Sequence, residues 1–149
     1  DIPIHGFCSL SAQVYSAAAL GLLSEGQWVL STIDAQIGQL YGLWGQWRED
    51  HFHAEDAAFI CPPELLALPT EPSSVAIIGS GLAYAERFPG QLQQLSTEHP
   101  DVTPDAAVMA HRLSTGSLAL ARQPAYALSP QYVQQTIGWK KLSEQRRHD

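Results

Sequence analysis

Apolar positions along the chain change their spacing several times, and each change marks a predicted element. Residues 2–6 read as a short strand closed by Gly6, and Ser9 then offers a helix N-cap. Residues 10–23 are rich in Ala and Leu and apolar nearly all round, the pattern of a helix buried on more than one side, with Ser24-Glu25-Gly26 ending it. A β-rich run follows at 28–34 (W-V-L-S-T-I-D), then a second at 40–47, and a third is expected at 52–60 after the charged break at 48–51. Three strands joined by short polar breaks predict an antiparallel meander.

Beyond the meander, Pro62-Pro63-Glu64 opens a brief helix running to Leu68, with proline in its first turn. Residues 75–78 (V-A-I-I) are apolar and largely β-branched, as in a strand covered on both faces. That run stops at Gly79-Ser80-Gly81, and residues 82–88 read as the helix leaving it. Thr103 and Pro104 suit the N-cap and first position of a further helix to Leu113, with 110–121 extending or repeating it and a break near Gly116. After Pro124 the pattern turns irregular. No internal repeat or low-complexity tract occurs. The whole reads as one α/β domain, a mixed sheet with flanking helices.

Composition changes this picture little. A chain of 149 residues with 45% apolar content builds a sizeable core without staples. Charged residues make up 15%, below the usual ~25%, which leaves more uncharged surface for a partner face. The net charge of −7 is uneven, because residues 139–149 carry +2 and the rest carries −9. An acidic body argues against binding a phosphate backbone directly. Cys8 and Cys61 form no C-x-x-C pair and sit beside apolar residues, as small buried hydrophobes do. The chain shows no signal peptide and no long apolar run, so a cytoplasmic, membrane-free protein is expected. It also opens on Asp1 without an initiator Met and enters strand-like sequence at once, as a fragment would.

Three places hold candidate chemistry. Asp34 ends a strand and precedes a turn through Gly38 whose N–H groups suit an anion, although an aspartate capping its own turn is the commoner explanation. Gly79-Ser80-Gly81 lies between a strand and a helix as in a dinucleotide fingerprint, but Tyr84 stands where that fingerprint needs a small residue. His51 and His53 alternate at a hairpin tip among Glu49, Asp50, Glu55 and Asp56, and would face one side of a strand as weak metal-ligand candidates. No G-x-S-x-G elbow and no P-loop occurs, so nothing specific assigns a catalytic residue, a metal or a cofactor.

Five motifs in order give a more definite lead: G-F-C-S-L at 6–10, I-D-A-Q-I-G-Q-L-Y at 33–41, G-S-G at 79–81, P-Q-Y-V at 130–133 and W-K-K-L at 139–142. Their order and spacing resemble those of the TsaB (YeaZ) family, over nearly this whole chain but only the second half of the family's length. The resemblance implies an actin-like fold of the sugar-kinase/Hsp70 type. Residues 1–24 would be the last strand and helix of a first lobe, 25–123 a second lobe, and 124–149 a tail returning toward the first. It further implies a non-catalytic scaffold that supports TsaD and TsaE in placing threonylcarbamoyl on the tRNA adenosine beside the anticodon, with tRNA met only indirectly. Asp34, Gly38, Gly79 and Gly81 would then be vestigial nucleotide elements, and Tyr132, Trp139, Lys140 and Lys141 candidate partner contacts. Gln36, Gln39 and Gln134 stand where the family carries charged residues, which lowers the attraction for a phosphate. The alternative is a nucleotide- or metal-dependent enzyme, as an older peptidase label for the family suggests. The apolar helix at 10–23, lacking a first lobe to cover it, is expected to drive self-association, with a homodimer as the simplest form.

Overall fold

The computed structural model describes residues 4–70 and 72–133. Strand β1 (Trp28–Asp34) lies at the middle of a six-stranded sheet. On one side it pairs antiparallel with β2 (Leu40–Arg48), which in turn pairs antiparallel with β3 (His51–Ala54) and β4 (Phe59–Cys61). On the other side it pairs parallel with β5 (Val75–Ile78), and β5 pairs parallel with β6 (Ser96–His99). The order along the sheet is β3-β2-β1-β5-β6, with β4 also on β2. The predicted meander is therefore present, and its third strand is split. Residues 55–58 leave the sheet, so two short strands share the length of β2 where one was expected.

Alternation along β1 and β5 divides the core between two faces. Val29 and Ile78 join Ala12, Val14, Tyr15 and Ala17 of helix α1 (Ser9–Ala19) together with Met109 of helix α3 (Ala106–Ser114). Leu30, Val75 and Ile77 join Leu66, Leu82, Phe88 and Leu92 on the opposite face. All four residues of β5 are buried, as expected of a strand covered on both sides. Leu30, Ile77 and Leu92 are fully buried, and each such side chain contributes about 1.5–3 kcal/mol by leaving water.

Helix α1 is buried from Ala12 to Ala17, so it does need cover on two sides. The sheet supplies one side and α3 the other, both from this chain. The motive for self-association through this helix therefore falls away. The helix is also shorter than expected. Cys8, not Ser9, is its N-cap, and it ends at Ala19. Gly21 at φ 72° closes it, with Leu22 N–H donating to the Ala17 carbonyl and Gly21 N–H to that of Ala18, so Ser24-Glu25-Gly26 is not the stop.

Other boundaries move for similar local reasons. Residues 63–65 form a 3₁₀ turn (Pro63–Leu65) rather than a helix to Leu68. Ser80–Arg87 is 3₁₀, broken at Tyr84, where residues 82–88 were expected to be helical. The N-cap of α3 is Asp105, whose carboxylate accepts from Ala107 N–H at 2.8 Å, and neither Thr103 nor Pro104 takes the predicted place. That helix ends at Ser114, and Gly116 at φ 74° marks the break. The sequence pattern gave no warning of helix α2 (Gly90–Leu95) or of β6. At the chain start, the predicted strand reduces among the described residues to one bridge between Ile4 and Gln123. Among the described residues, no helix is long and apolar enough to cross a membrane.

Candidate functional site

The two glycine-and-aspartate elements come together at the carboxyl ends of β1 and β5, where ligands commonly sit in α/β sheets. Their surroundings are already filled by protein groups. Gln13, 2% exposed, reaches from α1 across both strand ends. Its side-chain amide donates to Ser31 Oγ at 3.0 Å, to the Thr32 carbonyl at 3.1 Å and to the Ile78 carbonyl at 3.2 Å. Thr32 Oγ1 donates to the same Ile78 carbonyl at 2.8 Å, and Ser31 Oγ donates to the Leu10 carbonyl at 2.8 Å. These side chains thus donate to the Thr32 and Ile78 carbonyls at the strand ends and to the Leu10 carbonyl in the first turn of α1.

Gly79 sits directly against this network at φ 97°, ψ −175°, a region open essentially to glycine alone. A Cβ there would fall on the Gln13 amide and the Thr32 carbonyl, and one on Gly81 would lie 2.6 Å from Thr32 Cβ. Both glycines are needed to let their own chain pass close to β1 and α1. That is a packing requirement, distinct from the close approach of a phosphate.

Asp34 is engaged in the same way. Its Oδ1 accepts from Gln36 N–H at 2.8 Å, which closes the turn, and from the Tyr84 hydroxyl at 2.8 Å. Its own N–H donates to Ser80 Oγ at 3.0 Å, tying the turn to the glycine segment. Gln36 and Gly38 both have positive φ, at 70° and 72°. Hydrogen bonding to Asp34 raises the Tyr84 phenol above its ordinary value, because ionisation would forfeit that bond. Arg87 completes the group: its Nε meets Glu64 Oε1 at 2.5 Å, its Nη2 reaches the Gly38 carbonyl at 3.5 Å, and its guanidinium lies over the Tyr84 ring at 5.3 Å. The Glu64 carboxyl is held below its usual range by this partner. Sequence alone does not point to Arg87 or Glu64, and it marks Tyr84 only as too large for a dinucleotide site. A tyrosine three residues past G-S-G is a usable signal for a capped strand-end aspartate.

The histidine pair falls elsewhere. His51 and His53 lie on the edge strand β3, and each imidazole meets a backbone carbonyl: His51 Nδ1 that of Glu49 at 2.9 Å, His53 Nε2 that of Arg48 at 3.3 Å. Among the described residues no three His, Cys, Asp or Glu side chains group to hold a metal. The hairpin carrying them is held by Arg112 of α3. Its two terminal nitrogens grip Asp50 at 2.9 Å each, and its guanidinium lies over Tyr15 and Trp47 at 4.9 and 5.6 Å. Cys8 is exposed rather than buried, and Cys61 is half-buried with its thiol pushed up by burial. Tyr132 is 76% exposed, while Gln134, Trp139, Lys140 and Lys141 lie outside the described residues.

No protein-family model and no curated protein matches this chain. Solved structures do. A Pseudomonas aeruginosa protein described as uncharacterized, with similarity to peptidase YeaZ, superposes with a TM-score of 0.69 at 19% identity, over 89% of this chain and 59% of that one. YeaZ from Pseudomonas aeruginosa superposes with a TM-score of 0.67 at 20% identity, over 87% of this chain and 58% of its own. The chain thus spans somewhat under two thirds of these proteins and shares their fold, the actin-like mixed sheet with flanking helices expected from the motifs.

Proposed function

We propose that this chain is a non-catalytic scaffold of the TsaB type, supporting TsaD-like and TsaE-like proteins in threonylcarbamoylation of tRNA. Residues 25–123 would act as a second actin-like lobe, and residues 1–24 and 124–149 would belong toward a first. The observation that carries the reading is the filled strand end: Gly79 and Gly81 make room for Gln13 and Thr32, and Asp34 is spent on Tyr84 and Gln36. A carboxylate and glycines committed to internal packing contribute architecture where a working relative would hold a nucleotide. The likeness of fold to YeaZ supports the family context.

The opposing reading, a nucleotide- or metal-dependent enzyme, is separated by calorimetric titration with ATP–magnesium and with zinc. A scaffold gives no saturable heat with ATP–magnesium and gains binding only on adding a TsaD-like protein. Micromolar nucleotide affinity lost in Gly81→Val, turnover abolished in Asp34→Asn, or zinc binding lost in His51→Ala/His53→Ala would each overturn the scaffold.

A further inference from the structure

A groove of 730 Å³ has two unlike walls. One is built into the core: residues 6–10 enter α1 beside Ile33 and Tyr41, Leu10 is buried, and its carbonyl accepts from Ser31 Oγ. The other is the stretch 128–133, which is tied down only at its start. There Gln123 N–H donates to the Ile4 carbonyl at 2.9 Å, and Leu128 sits in the space left by Gly6, where an added Cβ would lie 3.1 Å from Leu128 Cδ2. Past Leu128, residues 129–133 make no hydrogen bond to another described residue. Tyr132 on this wall is 76% exposed and Phe7 on the other is 41% exposed.

We propose that residues 124–133 are a strap that closes over this groove, held at Leu128 and swinging beyond it to bring Tyr132 onto Phe7. The first argument is tethering. A segment with few buried apolar contacts and an exposed backbone opens and closes at little cost, and 129–133 is such a segment. The second is chemistry. No lining residue of either wall is charged, so the walls can meet without taking an ion out of water. Closure also buries two aromatic rings that the open form leaves wet. The third is stiffness. Pro124 and Pro130 restrict the backbone of the stretch, so less conformational freedom is lost when it closes. Gly6 gains a reason as well, since a larger side chain there would push Leu128 out of its seat. The inference does not depend on the scaffold reading, because it concerns only how this chain covers its own surface.

Cys8 is the reporter, because it lines the groove, is exposed in the open form and is covered on closure. The full chain carrying Cys61→Ser is alkylated with iodoacetamide, an uncharged probe, and the rate at Cys8 is read by mass spectrometry. Time spent closed slows the thiol in proportion, so Leu128→Ser/Tyr132→Ser should react about threefold faster or more. Gly6→Val should do the same by displacing Leu128, with amide exchange in β1 and β5 unchanged in both variants. NMR on the parent should show cross-relaxation between the rings of Tyr132 and Phe7. Equal rates in parent and variants, or no contact between those rings, overturns the strap. A Cys8 rate that falls as protein concentration rises assigns the cover to a second copy and overturns it equally.

Discussion

Replacing Gly79 by alanine tests whether packing or ligand binding holds that glycine. The backbone at φ 97°, ψ −175° is strained for any residue with a Cβ, at about 1–3 kcal/mol. The new methyl would also overlap the Gln13 amide and the Thr32 carbonyl, both of which are fixed by hydrogen bonds and cannot swing away freely. Overpacking of this kind costs about 1–3 kcal/mol, so the total loss should be about 2–6 kcal/mol against a whole-domain stability of about 5–15. In urea unfolding followed by tryptophan fluorescence, the midpoint should fall by about 1–3 M with an unchanged slope. A double-mutant cycle with Gln13→Ala separates the two terms. Removing the amide relieves part of the overlap but none of the backbone strain, so the cycle should show a coupling of at least about 1 kcal/mol. A Gly79→Ala protein within about 0.5 kcal/mol of the parent would refute the reasoning, since the glycine would then have no structural duty.

Three further outcomes follow from other contacts of the fold. Arg112→Ala should lower stability by about 2–3 kcal/mol in thermal or urea unfolding, because it removes the fork on Asp50 and the cation over two rings, and Arg112→Lys should recover only part of that. Asp50 is held below the usual carboxylate value of 3.8, first by its hydrogen bond from Arg112. A depressed folded-state pKa stabilises above the unfolded value, so the advantage of the parent over Asp50→Asn should hold from neutral pH down to about pH 4 and shrink below it; an advantage that grew on acidification would contradict the pairing. Tyr84→Phe should cost about 0.5–1.5 kcal/mol through the lost bond to Asp34 and leave the sheet's far-UV spectrum unchanged.

The elements legible in the sequence were those whose signal is local. β1, β2 and β5 were placed within a residue, because β-branched and aromatic runs report the faces a strand must bury. Asp34 was legible as a strand-end turn residue for the same reason, since its bond to Gln36 spans two positions. Strand β6 was not, because its S-T-E-H sequence carries no apolar pattern and its existence rests on pairing with β5 some twenty residues earlier. Helix ends shifted where a positive-φ glycine, not the polar cluster after it, closed the chain.

The candidate site divides in the same way. Its residues Asp34, Gly79 and Gly81 were all singled out from sequence, and the fold does bring them together at one sheet end. What they do there was decided by partners remote in sequence: Gln13 from α1, and Tyr84 and Arg87 from beyond the glycines. Hydrogen-bonding capacity is written in each residue type, but whether it is spent inside the protein or offered to a ligand depends on which distant groups the topology delivers within hydrogen-bond reach. The sequence thus determined where a strand-end site would lie, and only the tertiary structure, by bringing Gln13 and Tyr84 to it, determined that Asp34 Oδ1 and the Thr32 and Ile78 carbonyls have partners inside the protein.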